Sequence, residues 1–290
     1  MVFVSLVCGA RAADAPSPPA QDWRDVAPNN LVLIDTRYGE VAVELAPEFA
    51  SRHVERVRAL IRAHFYEGLS FYRVIDGFVA QGGIGEGTAP TKDRPTAAAG
   101  LKLWPPLKAE FERPIGSDLI FTQLGNADLF APEVGHADGF PVGRDPKTKT
   151  MWMVQCPGTF AFARDNGADT ATTEFYIVIG EAPRRLDRNL TAVGRVIDGL
   201  QYVQKLERGD PDVENGVIQD VSKRDVISRV RLAEDIPEKD RPHYQVMRTE
   251  SVSFAKEKER RKNPAPEFYH YTPPPVLDIC GLSVPVRRLH

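Results

Sequence analysis

Hydrophobic positions along this chain change period several times, and each change marks an element. Leu31 to Thr36 (LVLIDT) and Glu40 to Leu45 (EVAVEL) are strand-like runs separated by Tyr38-Gly39, with Val41, Val43 and Leu45 on one face. They predict a β-hairpin. After Pro47, Val54, Val57, Leu60 and Ile61 recur at helical spacing, with Arg52, Glu55, Arg58 and Arg62 on the other side, which predicts an amphipathic helix. A turn and strand follow over residues 65–83, FYEGLSFYRVIDGFVAQGG: Val74 and Ile75 are apolar anchors, Gly77 interrupts, and Gly82-Gly83 closes the run. Strict alternation puts Phe71, Arg73 and Ile75 on one face and Tyr72 and Val74 on the other. Later, Leu200, Val203 and Leu206 predict a second helix, and Val226, Ser228, Val230 and Leu232 alternate as in a closing strand.

Between these segments the pattern is weaker. Residues 13–29, rich in Pro, Ala and Asp, read as a linker. Residues 84–157 lack clear periodicity, as in GNADLFAPEVGHADGFPVGRD, and predict an insertion of irregular loops or disorder. Residues 250–262 mix Glu, Lys and Arg with Val252 and Phe254 as the large apolar residues, which predicts a solvated helix. A proline-rich stretch over residues 264–275 leads to VLDICGLSVPVRR. This ending is apolar enough to dock on the main domain, as a stabilising clasp or as part of a partner surface.

Composition narrows the picture. The chain has 290 residues, 42% of them hydrophobic, and a net charge of -3. It can bury a full core and carry additions to it, and no charge imbalance points to nucleic acid. No later run is long and apolar enough to span a membrane. Residues 1–10 are apolar and Ala10-Arg11-Ala12 is a small-x-small cleavage site. The expectation is a secretory signal over residues 1–12 whose charged start lies upstream, with a frayed apolar terminus as the alternative. If the signal and Cys8 are removed, Cys156 and Cys280 remain, a pair that would form one disulfide in an oxidising compartment or else stay as buried thiols. His136, Asp138 and Cys156 are too loosely spaced for a metal site, and a loop held by Asx turns accounts for them better. The run GGIGEG lacks the Lys-Ser/Thr pair of a phosphate loop.

Arg73 is the candidate for chemistry. A lone arginine on a strand can snorkel to water, but held beside buried side chains its planar fork keeps its charge and gains strength from the lower dielectric. The string around it, FYRVIDGFVAQGG, resembles the cyclophilin signature, in which an arginine and two apolar residues lead through a glycine to Phe-x-x-Gln-Gly-Gly. The resemblance returns from Gly158, in GTFAFARDNGADTATTEFYIVIG and the following LDRNLTAVGRVIDG, and Ala109-Glu110-Phe111 matches a short segment between. It covers roughly residues 31–234, interrupted by the insertion.

The resemblance implies a mainly β fold, a closed eight-stranded antiparallel barrel capped by two helices, over residues 30–236, with residues 237–290 as an extension docking on it. It implies a peptidyl-prolyl cis/trans isomerase that needs no cofactor or metal. Its partners would be proline-containing segments of unfolded or exported proteins, and its location periplasmic. Carried over residue by residue, Arg73 is the catalytic arginine, Phe78 the floor of the proline pocket and Gln81 the glutamine that bonds the substrate backbone. Val79 replaces a methionine, Ala163 matches the substrate-touching alanine, and Arg164 stands for an asparagine. Glu174 and Tyr176 replace glutamine and phenylalanine. Leu186 matches the pocket leucine, preceded by Arg185 in place of tryptophan, and Leu190 replaces a histidine. Glu174 would pair with Arg164 or with Arg73. The alternative function is a catalytically weak or inactive cyclophilin-like module that binds peptides or acts as a chaperone.

Overall fold

The computed structural model describes residues 17–85 and 104–289; the expected signal over residues 1–12, and Cys8 with it, lies outside them. The main body is a nine-stranded antiparallel sheet. Its strands are β1 (Leu31–Thr36), β2 (Gly39–Leu45), β3 (Ser70–Val74), β4 (Val79–Gly83), β5 (Thr159–Phe162), β6 (Phe175–Val178), β7 (Ala192–Asp198), β8 (Asp225–Val226) and β9 (Arg229–Leu232). The order is β8-β3-β4-β6-β5-β7-β2-β1-β9. The fold is thus mainly β with few helices, but a curled nine-stranded half-barrel replaces the expected closed eight-stranded barrel.

The last strand of the sheet is broken in two. Ile227 N–H donates to the Leu69 carbonyl on one edge of the sheet, and Ser228 N–H to the Asp35 carbonyl on the other. The break between them inverts the expected alternation there: Val226 is 51% exposed, whereas Ile227 is fully buried. Val230 and Leu232 do point inward.

Helix α1 (Ser51–Arg62) lays Val54, Val57, Leu60 and Ile61 on the inner core, as its spacing predicts. The second helix, α2 (Leu200–Val203), is shorter than expected, but Val203 and Leu206 still reach the core. The start of α1 is held from outside. Glu110 accepts hydrogen bonds from the Arg52 and His53 amides at 3.2 and 3.0 Å and from the His53 ring Nδ1 at 2.7 Å. It caps the first turn in the way an N-cap side chain would.

Residues 86–103 of the expected insertion lie outside the described residues, and the part over 113–153 is mostly strand rather than loop. Its strands Phe121–Gln123, Glu133–Ala137, Phe140–Asp145 and Thr150–Met153, with the short Arg113–Pro114, form a five-stranded sheet. Both faces of that sheet are covered. Ala137, Phe140, Val142, Met151 and Met153 pack against the outer side of the barrel strands, with Val79, Ala161, Tyr176 and Val178. Val134, Trp152 and Val154 pack into another core with Leu31, Leu33 and the C-terminal residues Phe254, Ile279 and Leu282. A strand buried on both sides shows no polar–apolar alternation, so the segment reads as patternless.

The described part of the expected linker, residues 17–29, likewise does more than link. Trp23–Asp25 is a strand paired with His243–Met247, which pairs in turn with Val286–Leu289. The charged helix α3 (Val252–Lys262) is capped by Ser251, which accepts from the Phe254 amide at 3.1 Å. Expected to be solvated, this helix is anchored by its buried Phe254. Cys156 and Cys280 are joined by a disulfide across 124 positions, with Cα atoms 5.1 Å apart. Of the residues weighed as metal ligands, His136 bonds the Leu282 carbonyl, Asp138 pairs with Arg24 and Cys156 is in the disulfide.

Glu110 makes the stability pH-dependent. Burial would raise its carboxyl, but the hydrogen bonds from the His53 ring and the His53 and Arg52 amides prevail and hold it at about 2. A depressed carboxyl contributes stability that is complete above the unfolded value of about 4.3 and is lost as pH falls toward the folded one. Replacing it, Glu110→Gln, should lower stability at pH 7 by about 1–2 kcal/mol. In urea unfolding followed across pH, the gap to wild type should close on acidification below about pH 4. A gap independent of pH would show that the charge is not what holds the helix start.

Candidate active site

The site is built on the β3–β4 hairpin, and an irregularity in it decides which side chains face out. Phe71 lies opposite Gly82, Arg73 opposite Gln81 and Val74 opposite Ala80, with the register shifting between Phe71 and Arg73. The extra residue is a β-bulge, which turns adjacent side chains to one side. Phe71 and Val74 therefore enter the inner core, whereas Tyr72 and Arg73 both line an outer groove. Strict alternation places Phe71 with Arg73, and the bulge corrects this.

Arg73 is half-buried and tethered at two points. Its Nε donates to the Asn215 carbonyl at 2.7 Å and its Nη1 to Gln81 Oε1 at 3.1 Å. Burial lowers its pKa from the ordinary value, partly offset by Tyr72, and a guanidinium keeps its charge under such a shift. Among the described residues no hydrogen bond occupies Nη2, which leaves that end of the fork for a ligand in the groove. The Asn215 carbonyl is brought there by a turn in which Glu214, Asn215 and Gly216 all have positive φ (44°, 54° and 86°). Asparagine and glycine accept this conformation readily and glutamate does not.

Glu174 faces the same groove but pairs with neither Arg73 nor Arg164, contrary to expectation. Its carboxylate accepts from the Ile84 amide at 2.8 Å, the Gly85 amide at 3.4 Å and the Thr173 hydroxyl at 3.4 Å. Burial raises its pKa against those hydrogen bonds. The Tyr72 oxygen accepts from Gln81 Nε2. Arg164 instead folds back on backbone, donating to the Asn189 carbonyl at 3.0 Å and the Asp165 carbonyl at 2.6 Å. Ala163 also lines the groove, its amide bonded to the Glu174 carbonyl at 2.9 Å.

The apolar residues expected to form the proline pocket are distributed differently. Val79 and Tyr176 are each 3% exposed and lie under the insertion sheet. The Tyr176 hydroxyl, absent from a phenylalanine, donates to Gln155 Oε1 at 3.0 Å. Phe78 and Leu190 are half-buried at the edge of that cluster. Leu186 sits on the turn Arg184–Leu186, where it shares a shallow depression with Leu190, Asn189 and Arg164. The turn is fixed by Arg184, which bonds Asp187 at 2.7 Å and both oxygens of Asp128 at 2.9 Å. The structure thus gathers Arg73, Gln81, Ala163, Arg164 and Glu174 in one groove, sets Leu186 and Leu190 beside it, and places Val79 and Tyr176 beneath the insertion. Sequence reasoning missed Tyr72 and Asn215. A tyrosine next to the arginine and an Asn-Gly pair in a loop were their signals.

Comparison with known proteins agrees with this architecture. Residues 31–232 match the family model of the cyclophilin type peptidyl-prolyl cis-trans isomerase/CLD. A probable peptidyl-prolyl cis-trans isomerase of Brucella suis is 28% identical over 226 residues, covering 77% of this chain and 94% of the relative. A peptidyl-prolyl cis-trans isomerase of Acinetobacter baylyi is 25% identical over 202 residues, covering 68% of this chain and 82% of the relative. Among solved structures, the cyclophilin AquaCyp293 from Hirschia baltica superposes with a TM-score of 0.72 at 28% identity, covering 92% of this chain and 93% of that one.

The second glycine of Gln81-Gly82-Gly83 is required by the site. At φ +144°, a Cβ on Gly83 would lie 2.3 Å from the Glu174 carboxylate. The substitution Gly83→Ala should therefore cost about 1–3 kcal/mol through backbone strain and displacement of Glu174. Urea unfolding would measure this, and an unchanged midpoint would mean that Glu174 does not need its place against the backbone.

Proposed function

The chain belongs to the family of cyclophilin-type peptidyl-prolyl cis/trans isomerases, whose model spans residues 31–232, and from that premise we propose that Arg73 is its catalytic donor and that its substrates are proline-containing segments of exported proteins. Rotation about a peptide bond faces a barrier of about 18–20 kcal/mol, because the nitrogen lone pair is delocalised into the carbonyl. At an X-Pro bond in water it takes roughly tens of seconds. No covalent intermediate is needed. In the twisted transition state the nitrogen becomes pyramidal and accepts a hydrogen bond, so a donor fixed in advance at that point acts where charge develops. Such donors contribute roughly 3–4 kcal/mol.

The observation that carries this reading is the tethering of Arg73. Asn215 and Gln81 occupy its Nε and Nη1, so the remaining donors are aimed into the groove without further loss of side-chain freedom. A peptide lying past Gln81 and Ala163 would present its prolyl bond to Arg73, with the ring toward Phe78, Leu186 and Leu190. That contact anchors one side of the bond while the other turns. A second reading, peptide binding with little catalysis, is favoured by one observation: Val79 and Tyr176 are covered by the insertion, which leaves less apolar wall to grip the ring.

Export is supported by the pattern of residues 1–12 and by the Cys156–Cys280 disulfide, since such bonds persist in oxidising compartments. Among the described residues no helix is long and apolar enough to cross a membrane. Fractionation of producing cells should find the protein in the periplasm without residues 1–12. A cytoplasmic, uncleaved product with two reactive thiols would end that part of the proposal.

The activity is tested with a short Ala-Pro peptide series. Wild type should accelerate the cis-to-trans step, and Arg73→Ala should lower kcat/KM by roughly 100-fold with circular dichroism unchanged. If wild type gives no acceleration, the binding reading prevails, and peptide retention should then be abolished by Phe78→Ala.

A further inference from the structure

Two large apolar side chains stand in the open beside the turn that carries Leu186. Leu129 is 95% exposed and Phe130 46%. Both belong to the insertion, in the loop between its strands Phe121–Gln123 and Glu133–Ala137. A lone exposed leucine needs no explanation, but this loop is pinned along its length. Asn126 Nδ2 donates to the Leu277 carbonyl at 3.0 Å and its Oδ1 accepts from the Leu277 amide at 3.3 Å, which ties the loop to the C-terminal extension. Asp128 Oδ1 accepts from the Phe130 and Ala131 amides at 2.8 and 2.9 Å, closing an Asx turn.

The same carboxylate joins the loop to the turn. Its two oxygens take the Arg184 fork at 2.9 Å each, and Arg184 Nε donates to Asp187 at 2.7 Å. All three side chains are buried, and the bidentate pairing fixes their relative orientation. Phe130 lies beside the Arg184 guanidinium, 5.1 Å from ring centroid to cation, a cation–π contact. The exposed pair is thereby set against the turn Arg184–Leu186, whose Leu186 shares with Leu190 the depression next to the groove. An extended peptide advances about 3.3 Å per residue, so a chain that leaves the depression across this turn reaches Leu129 and Phe130 within a few residues.

We propose that Leu129 and Phe130 form an auxiliary subsite of the isomerase, which takes a bulky apolar side chain of the substrate a few residues from the target proline, and that Asp128 is the positioning residue that fixes this subsite to the turn through Arg184. The inference rests on the proline ring docking at Leu186 and Leu190. The insertion covers Val79 and Tyr176 and so removes apolar surface from the proline wall; with Leu129 and Phe130 it presents apolar surface farther along the same path. Because the loop is already held at Asn126 and Asp128, it loses little freedom when a side chain settles on it. The preferred substrates are then segments in which a proline and a large apolar residue lie a few positions apart.

The test uses Ala-Pro peptides, otherwise of glycine, with one phenylalanine placed in turn at each of about four positions before and after the pair. Wild type should prefer one placement over glycine at that position by roughly fivefold in kcat/KM, the effect of covering part of an aromatic side chain, and the gain should lie in KM. In Leu129→Ser and in Phe130→Ser this ratio should fall toward one. Asp128→Ala should abolish the same ratio with kcat within about twofold; an unchanged ratio there would remove Asp128 from the assignment. Leu129 is so exposed that its substitution decides the subsite even if Asp128→Ala does not fold. A wild type indifferent to the placement of phenylalanine, or a preference that survives in both serine variants, overturns the proposal. Should wild type accelerate no peptide, the enzyme reading has failed, and calorimetric titration of the same peptides decides the subsite by affinity: one favoured placement, lost in the serine variants, upholds it, and equal affinities end it.

Discussion

A guanidinium cannot shed its charge to suit a half-buried position, and the site of this protein is arranged around that constraint. Arg73 can sit among apolar neighbours only if acceptors are supplied on the protein side and the remaining donors are left toward the groove. Both acceptors are brought to it by unusual backbone. The bulge between Phe71 and Arg73 turns the arginine out beside Gln81, and the positive-φ turn at residues 214–216 delivers the Asn215 carbonyl. Removing either irregularity would leave the chain in the same sheet with its key side chain directed elsewhere.

The need to cover apolar surface explains the other parts of the chain. A curled sheet with helices on its rim still has an outer face that must be covered or kept polar. Here β1 and β2 offer Leu31, Leu33 and Ala42 outward, and β4 and β6 offer Val79, Tyr176 and Val178. The insertion sheet, the N-terminal strand and the C-terminal extension bury these residues in two outer cores. The disulfide then ties the extension to the segment leading into β5. Fold and pocket are thereby coupled, because the sheet that stabilises the outer face also covers residues that would otherwise form the wall of an open proline site.

Which features are legible in the sequence follows from how local their causes are. The first hairpin, helix α1 and the run FYRVIDGFVAQGG declare themselves by period and fixed spacing, since each is stabilised largely within its own few dozen residues. The insertion does not, because strands covered on both faces carry no alternation and their partners are set by distant chain. The break of the last strand at Ile227 and Ser228 is equally hidden, for its cause is pairing with Leu69 on one edge and Asp35 on the other. The residues Arg73, Gln81, Ala163, Arg164 and Glu174 are legible as neighbours, but their pairing is not. A one-residue bulge cannot be seen in a string whose apolar positions fit alternation equally well.

That bulge also shows why substitutions at neighbouring positions should be read together. Glutamate at position 174 taken alone suggests a counter-ion for a nearby arginine, a role that would reduce the donors available for chemistry. In the structure the carboxylate is satisfied by the Ile84 and Gly85 amides and the Thr173 hydroxyl, and among the described residues the arginine keeps an open end. Glycines at 83 and 85 complete the arrangement, since side chains there would collide with the carboxylate and the Tyr72 ring. The charge of Glu174 is compatible with an Arg73 that is held by Asn215 and Gln81 because backbone amides and the Thr173 hydroxyl, rather than the guanidinium, satisfy the carboxylate.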